Sequence, residues 1–78
     1  MIDANDIKKA REIIAEEIKS YTKLGLGLHG VALYLGKKYN ENPDAIKKLA
    51  SGKLKSTKKS VEITEKILEK QNDNQSST

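Results

Sequence analysis

Eight lysines fall between residues 37 and 60, against Glu41 and Asp44, and lysines gathered in this way can neutralise phosphates. Residues 1–36 hold five basic and five acidic side chains, and residues 61–78 hold two and four. The three windows therefore carry 0, +6 and −2 of the net +4. An even spread of lysine would not leave the whole excess in the middle third, and such segregation is the footprint of a polyanion-binding face. The competing reading is a solvated lysine face without a ligand. Asn42 and Ser51, in the same stretch, add side chains that hydrogen-bond to phosphate oxygens or base edges.

Other chemistry does not assemble. His29 has no cysteine and no neighbouring carboxylate, whereas a transition-metal site takes three or four ligands, so it is expected to be a partly buried packing residue. No local context pairs His29 with Ser20 or Ser51 as a nucleophile. Asp3, Asp6, Glu12, Glu16 and Glu17 are interleaved with bases on an exposed helix face, which argues against an acid–base pair. Neither an enzyme nor a cofactor is expected.

Helices must position those lysines. Asp3, Asn5 and Asp6 offer N-caps and acidic groups where a helix macrodipole favours them. Ile7, Ala10, Ile14, Ile18 and Tyr21 recur at three- and four-residue spacing with Ile13 beside them, which predicts an amphipathic helix of about five turns. Gly25 and Gly27 should end it, since each glycine costs about 1 kcal/mol inside a helix. Leu24 to Leu28 is then expected to be a buried connector into a helix from His29 to Tyr39. Asn40 to Asp44 forms the clearest turn. After Gly52 a loop with Leu54 tucked inward leads through Thr57 to a last helix that should bury Val61, Thr64, Ile67 and Leu68, with Ile63 broadening the stripe. Glu62 and Lys66, four apart, are expected to pair. Beyond Lys70 no apolar residue offers a dock, so 71–78 is expected to be a disordered tail behind a single domain over 1–70. With 78 residues and no Phe, Trp or Cys, the chain should form an all-α fold, a small bundle of four to five short helices cored by Ile, Leu, Val, Ala and tyrosine, without disulfides.

Within the basic stretch the spacing predicts a helix-turn-helix over about 28–52. Val31, Ala32 and Leu35 share one face, Gly36 stands where a helix can stop in a left-handed turn, and Asn42–Pro43 opens a second helix by N-cap and N1 proline. Ala45, Ile46, Leu49 and Ala50 face inward, and Ala32 is small where the two helices should meet most closely. At VALYLG and AIKKLASGKLKS the chain resembles the lambda-repressor/Cro-like DNA-binding domains, over about half its length. The connection from Gly36 to Ile46 is about four residues longer than that family's usual turn. Leu28 stands where the family often has a phosphate-contacting Gln, and Lys37 replaces an apolar residue.

The resemblance implies a small sequence-specific transcriptional regulator of phage or plasmid type, a repressor acting as a homodimer on double-stranded DNA. If the second helix enters the major groove, Asn42, Ala45, Lys47, Lys48 and Ser51 lie near bases, with Lys37, Lys38, Lys53 and Lys55 on flanking phosphates. The stretch contains no arginine, so the bidentate guanine contact is missing. From another class comes a helical bundle that binds another protein, similar to bacteriocin-immunity or inhibitor modules. There Leu24 to Leu35 would be a docking surface, and exposed apolar area would distinguish it.

Met1 leads into Asp3 and Asp6 where a signal peptide needs positive charge and an apolar run. The longest weakly polar run, Leu24 to Gly36, has thirteen residues against the roughly 20 that cross a bilayer. Without aromatics beside the lysines, anionic lipid is a poor fit. A cytoplasmic protein without membrane contact is expected.

Overall fold

Each helix follows from the local chemistry of its ends. The computed structural model describes residues 2–76, with side chains as far as Gln71. In order these form α1 (Ala4–Lys23), α2 (Leu28–Tyr39), α3 (Pro43–Ser51) and α4 (Thr57–Ser76), with no strand among the described residues. The protein is a small all-α bundle. Its slab of 36 × 35 × 19 Å is about two helix diameters thick.

A reciprocal capping box opens α1: the Asp6 N–H donates to Asp3 Oδ1 at 2.9 Å, and the Asp3 N–H donates to Asp6 Oδ2 at 3.2 Å. Gly25, at φ +94°, turns the chain out of α1. Asn42 caps α3 by accepting the Asp44 N–H at 2.8 Å, Pro43 takes the first helical position, and Gly52 closes the helix at φ +77°.

α2 ends at Tyr39, the boundary expected for it, running through Gly36 to Asn40, which takes the left-handed conformation at φ +54°. Gly36 is buried because the turn passes directly over it. A Cβ there would meet the Glu41 carbonyl oxygen at 2.7 Å and Pro43 Cγ at 3.1 Å. Ala32 is fully buried as well, and the link between α2 and α3 is only Asn40, Glu41 and Asn42.

The core draws on every helix: Ala10 and Ile14 from α1, Val31, Leu35 and Tyr39 from α2, Ala45, Ile46 and Leu49 from α3, Ile63 and Ile67 from α4. Each fully buried large aliphatic contributes about 1.5–3 kcal/mol, and packing between α2 and α3 is the most extensive in the bundle. The inward stripe of α4 is Ser60, Ile63, Thr64 and Ile67, with Val61 and Leu68 half-buried at its edge. This rotation turns Lys59 and Lys66, two helical turns apart, toward the α2–α3 turn.

Two further expectations change. Leu24, Leu26 and Leu28 are exposed, because a four-residue link between two packed helices sits at the rim of the bundle and is too short to fold back over the core. The backbone is helical past Lys70 as far as Ser76, where a disordered tail was expected: no Gly or Pro interrupts the segment, and extending a formed helix costs little. Positions 77 and 78 lie outside the described residues. Among the described residues no helix is long and apolar enough to cross a membrane.

Candidate functional site

α3 presents a polar outer face opposite Ile46 and Leu49. Asn42, Lys48 and Ser51 are exposed there and Lys47 is half-buried. Ala45, expected near bases, is 8% exposed and belongs to the core: it neighbours Ile46 and precedes Leu49 by one turn, which puts it on the inward stripe. The cap uses Asn42 Oδ1 and leaves its amide N–H groups to donate elsewhere. Ser51 Oγ donates to the Lys48 carbonyl at 3.2 Å. Lys48 Nζ lies 3.1 Å from Asp44 Oδ2, but both side chains are largely in water and such pairs contribute little.

Beyond Gly52 the chain stays tied to α3, since the N–H groups of Lys53 and Leu54 both donate to the Lys48 carbonyl, at 2.8 and 3.2 Å. Lys53 and Lys55 are exposed at this anchored corner. Among the described residues, Lys37, Lys47, Lys53, Lys55 and Lys58 have no carboxylate partner, so their charge is available to a ligand.

The nominated residues do not form one patch. Lys47 and Ser51 border a hollow of about 250 Å³ with Ala15, Ile18 and Leu28, at the start of α2. Lys37 lies at the other end of α3, beside Asn42 and Pro43, in a cavity of about 470 Å³ that Lys59 and Lys66 also line. Lys38 leaves the phosphate set altogether. Its ammonium is 2.9 Å from Glu17 Oε2 on α1.

Glu17 also takes the Tyr39 hydroxyl, which donates to Oε1 at 2.5 Å, while Lys38 Nζ sits 5.3 Å from the Tyr39 ring centre. Burial, then the bond to Glu17 and its charge, push the Tyr39 pKa up, so the phenol stays protonated and keeps donating. This clamp holds the end of α2 against α1. Replacing Tyr39 with Phe is expected to cost about 1.5 kcal/mol in urea unfolding, the lower end for a hydrogen bond to a charged group. An unchanged unfolding midpoint would mean that the hydroxyl exchanges for water without loss.

Sequence reasoning missed Glu41. Its side chain is 1% exposed and lies between Lys59 Nζ and Lys66 Nζ, each at 2.7 Å. Neither carboxylate oxygen makes an aligned hydrogen bond, so the two ammonium groups act mainly as charge. Lys66 also donates to the Asn40 carbonyl at 2.9 Å, and Lys59 pairs with Glu62 at 2.7 Å, so the expected Glu62–Lys66 pair gives way to longer-range partners. Burial opposes ionisation of Glu41, but the close polar contacts with Glu62, Lys59 and Lys66 and the Lys66 charge outweigh it and hold its pKa at about 2. The same carboxylates, Glu41 first, push the Lys59 pKa up. Lys59 and Lys66 are therefore structural cations that lock the α2–α3 turn onto α4. The one sequence trace of this site is their seven-residue spacing on a single helix face.

Two other side chains depart from expectation. His29 is exposed in the first turn of α2 and is not a packing residue. Leu33 and Tyr34 are open on the same helix, the Tyr34 ring edge-on to Tyr21 with centroids 5.2 Å apart. Compared with protein-family models, curated proteins and solved structures, the chain finds no match.

Proposed function

We propose that the chain is a small sequence-specific regulator that binds double-stranded DNA in the cytoplasm, with α2 and α3 as a helix-turn-helix and α3 as the recognition helix. The observation that carries this reading is the seating of α3 by a three-residue turn over Gly36, which leaves Asn42, Lys48 and Ser51 exposed and Lys47 half-exposed, with the unpaired Lys53 and Lys55 following α3. A glycine beneath the turn and a left-handed residue one turn later suit a tight link between two packed helices. On this reading the family resemblance shifts by one helical turn, with Gly36 in the role first given to Ala32 and Asn40 in that of Gly36. The extra length of the connection then disappears.

In the bound state the face of α3 would lie in the major groove, with Asn42 and Lys47 nearest base edges and Lys53 and Lys55 on phosphates. Asp44 sits on this face and is a natural acceptor for a cytosine amino group. Four to six phosphate contacts give a slope of log affinity against log salt of roughly −4 to −5, and removing Lys53 or Lys55 should reduce it by about 1. Gel-shift titration at two salt concentrations measures both. Absence of any retarded duplex at low salt would end this reading.

Exposed leucine favours a second reading, a helical module that docks on another protein, as in immunity or inhibitor proteins. Leu24, Leu26 and Leu28 stand open where a DNA-binding domain gains nothing from them. A stoichiometric complex with a purified protein that persists after nuclease treatment, together with unchanged binding in the Lys53 and Lys55 variants, would favour it.

A further inference from the structure

We propose that the hollow between the α2–α3 turn and α4 is a binding site for a small organic carboxylate with a short apolar body. It measures about 470 Å³, within the roughly 300–1,000 Å³ of sites that hold small molecules, and Leu33, Lys37, Asn42, Pro43, Lys59 and Lys66 stand around it. Its donors are in place before a ligand arrives. Lys59 donates to Glu62 and Lys66 to the Asn40 carbonyl, and neither makes an aligned bond to Glu41, so both ammonium groups keep N–H groups to donate. The buried Glu41 carboxylate holds the two side chains from behind, which leaves them little freedom to lose on binding. Lys37 has no carboxylate partner among the described residues, and Asn42 caps α3 through Oδ1 with its amide N–H groups unspent.

Charge and shape select the ligand class. Lys37, Lys59 and Lys66 face Glu41 and Glu62 around the hollow, which leaves an excess of one positive charge and suits a monoanion better than a phosphate dianion. Leu33 is 46% exposed one helical turn before Lys37, and the Pro43 ring borders the same hollow. A hydrocarbon body lying across these two side chains would take them out of water while its carboxylate reaches Lys37 and the Asn42 amide; a bare phosphate gains nothing from them. Lys37 and Asn42 also belong to the proposed DNA face, so an occupied hollow would compete with DNA. That consequence rests on the DNA reading, whereas the site itself does not.

Benzoate is the probe, in an amide-shift NMR titration of the full chain at constant ionic strength and without DNA, so that failure here leaves the DNA reading standing. Saturable shifts are expected at Leu33, Lys37 and Asn42 with a dissociation constant of about 1–10 mM, the scale for so small a ligand. Acetate, which lacks the apolar body, benzylamine, which reverses the charge, and inorganic phosphate should each bind about fivefold more weakly or worse. Lys37→Gln and Leu33→Gln should each weaken benzoate about fivefold with the urea midpoint nearly unchanged, since both side chains stand in water, whereas Lys53→Gln, away from the hollow, should bind as wild type does. Shifts that do not saturate by about 50 mM benzoate, equal affinity for acetate, benzylamine or phosphate, or wild-type affinity in either hollow variant would each overturn the assignment.

Discussion

Replacing Glu41 with glutamine is expected to destabilise the protein by about 2–3 kcal/mol near neutral pH, lowering the melting temperature by on the order of 10 °C. The amide would occupy the same buried space but leave two ammonium groups without their counter-charge. The loss stays below the roughly 3–5 kcal/mol of a broken buried pair because Lys59 and Lys66 are each 35% exposed and can turn toward water, and because Lys59 retains Glu62. The pH dependence provides an independent check. The Glu41 carboxyl is held at about 2 in the folded protein and returns to about 4.5 on unfolding, so between these values the unfolded state binds more protons. Its stabilisation is fully present above about pH 4.5 and disappears as pH falls through about 2. Urea unfolding across this window should show a steep acid decline in the wild type that is shallower in Glu41→Gln. Parallel curves would mean that the apolar seam alone holds the turn onto α4.

Gly36→Ala is the second large effect, and its sign opposes helix propensity. Alanine at an open helical position gains about 1 kcal/mol over glycine. At Gly36 the new methyl would stand 2.7 Å from the Glu41 carbonyl oxygen and 3.1 Å from the Pro43 ring, neither of which is the end of a flexible side chain. The turn must lift, loosening the lysine contacts to Glu41 behind it. Overpacking of this kind costs about 1–3 kcal/mol, so a net loss of about 2 kcal/mol is expected, and Gly36→Val should lose more. Gly30→Ala is the internal control: on the same helix, with open space around it, it should stabilise a dilute sample by up to about 1 kcal/mol. If both alanine variants gain stability in denaturant titrations, the turn does not press on Gly36. If the Gly36 variant also loses DNA binding while Gly30→Ala retains it, the crossing and the recognition face are coupled.

Features that depend on a few adjacent residues were legible in the chain. The stripe of Ile7, Ala10, Ile14 and Ile18, the Asn42–Pro43 cap and the Gly52 stop are local chemistry, and the structure contains all three. The Asp3 cap was likewise among the candidates and forms. Lysine segregation needed only counting. The candidate site was legible in part. Asn42, Lys48, Ser51, Lys53 and Lys55 are exposed as their positions suggest, whereas Ala45 is buried and Lys38 is bound to Glu17.

Taken alone, then, the sequence determined where the helices begin and, for the first three, where they end, to within one turn, and where the positive charge accumulates, because caps, periodicity and composition act over one or two helical turns. Tertiary structure decided which glycine lies beneath the turn, which acid goes inside and which leucines stay out. Gly36 looks like a helix stop until the path of Glu41 and Pro43 over α2 shows that it lies beneath the turn. Glu41 looks like any turn acid until α4 brings Lys59 and Lys66, 18 and 25 residues away, to within 2.7 Å. Contacts of that range depend on how whole helices pack, and no short window of sequence contains both partners.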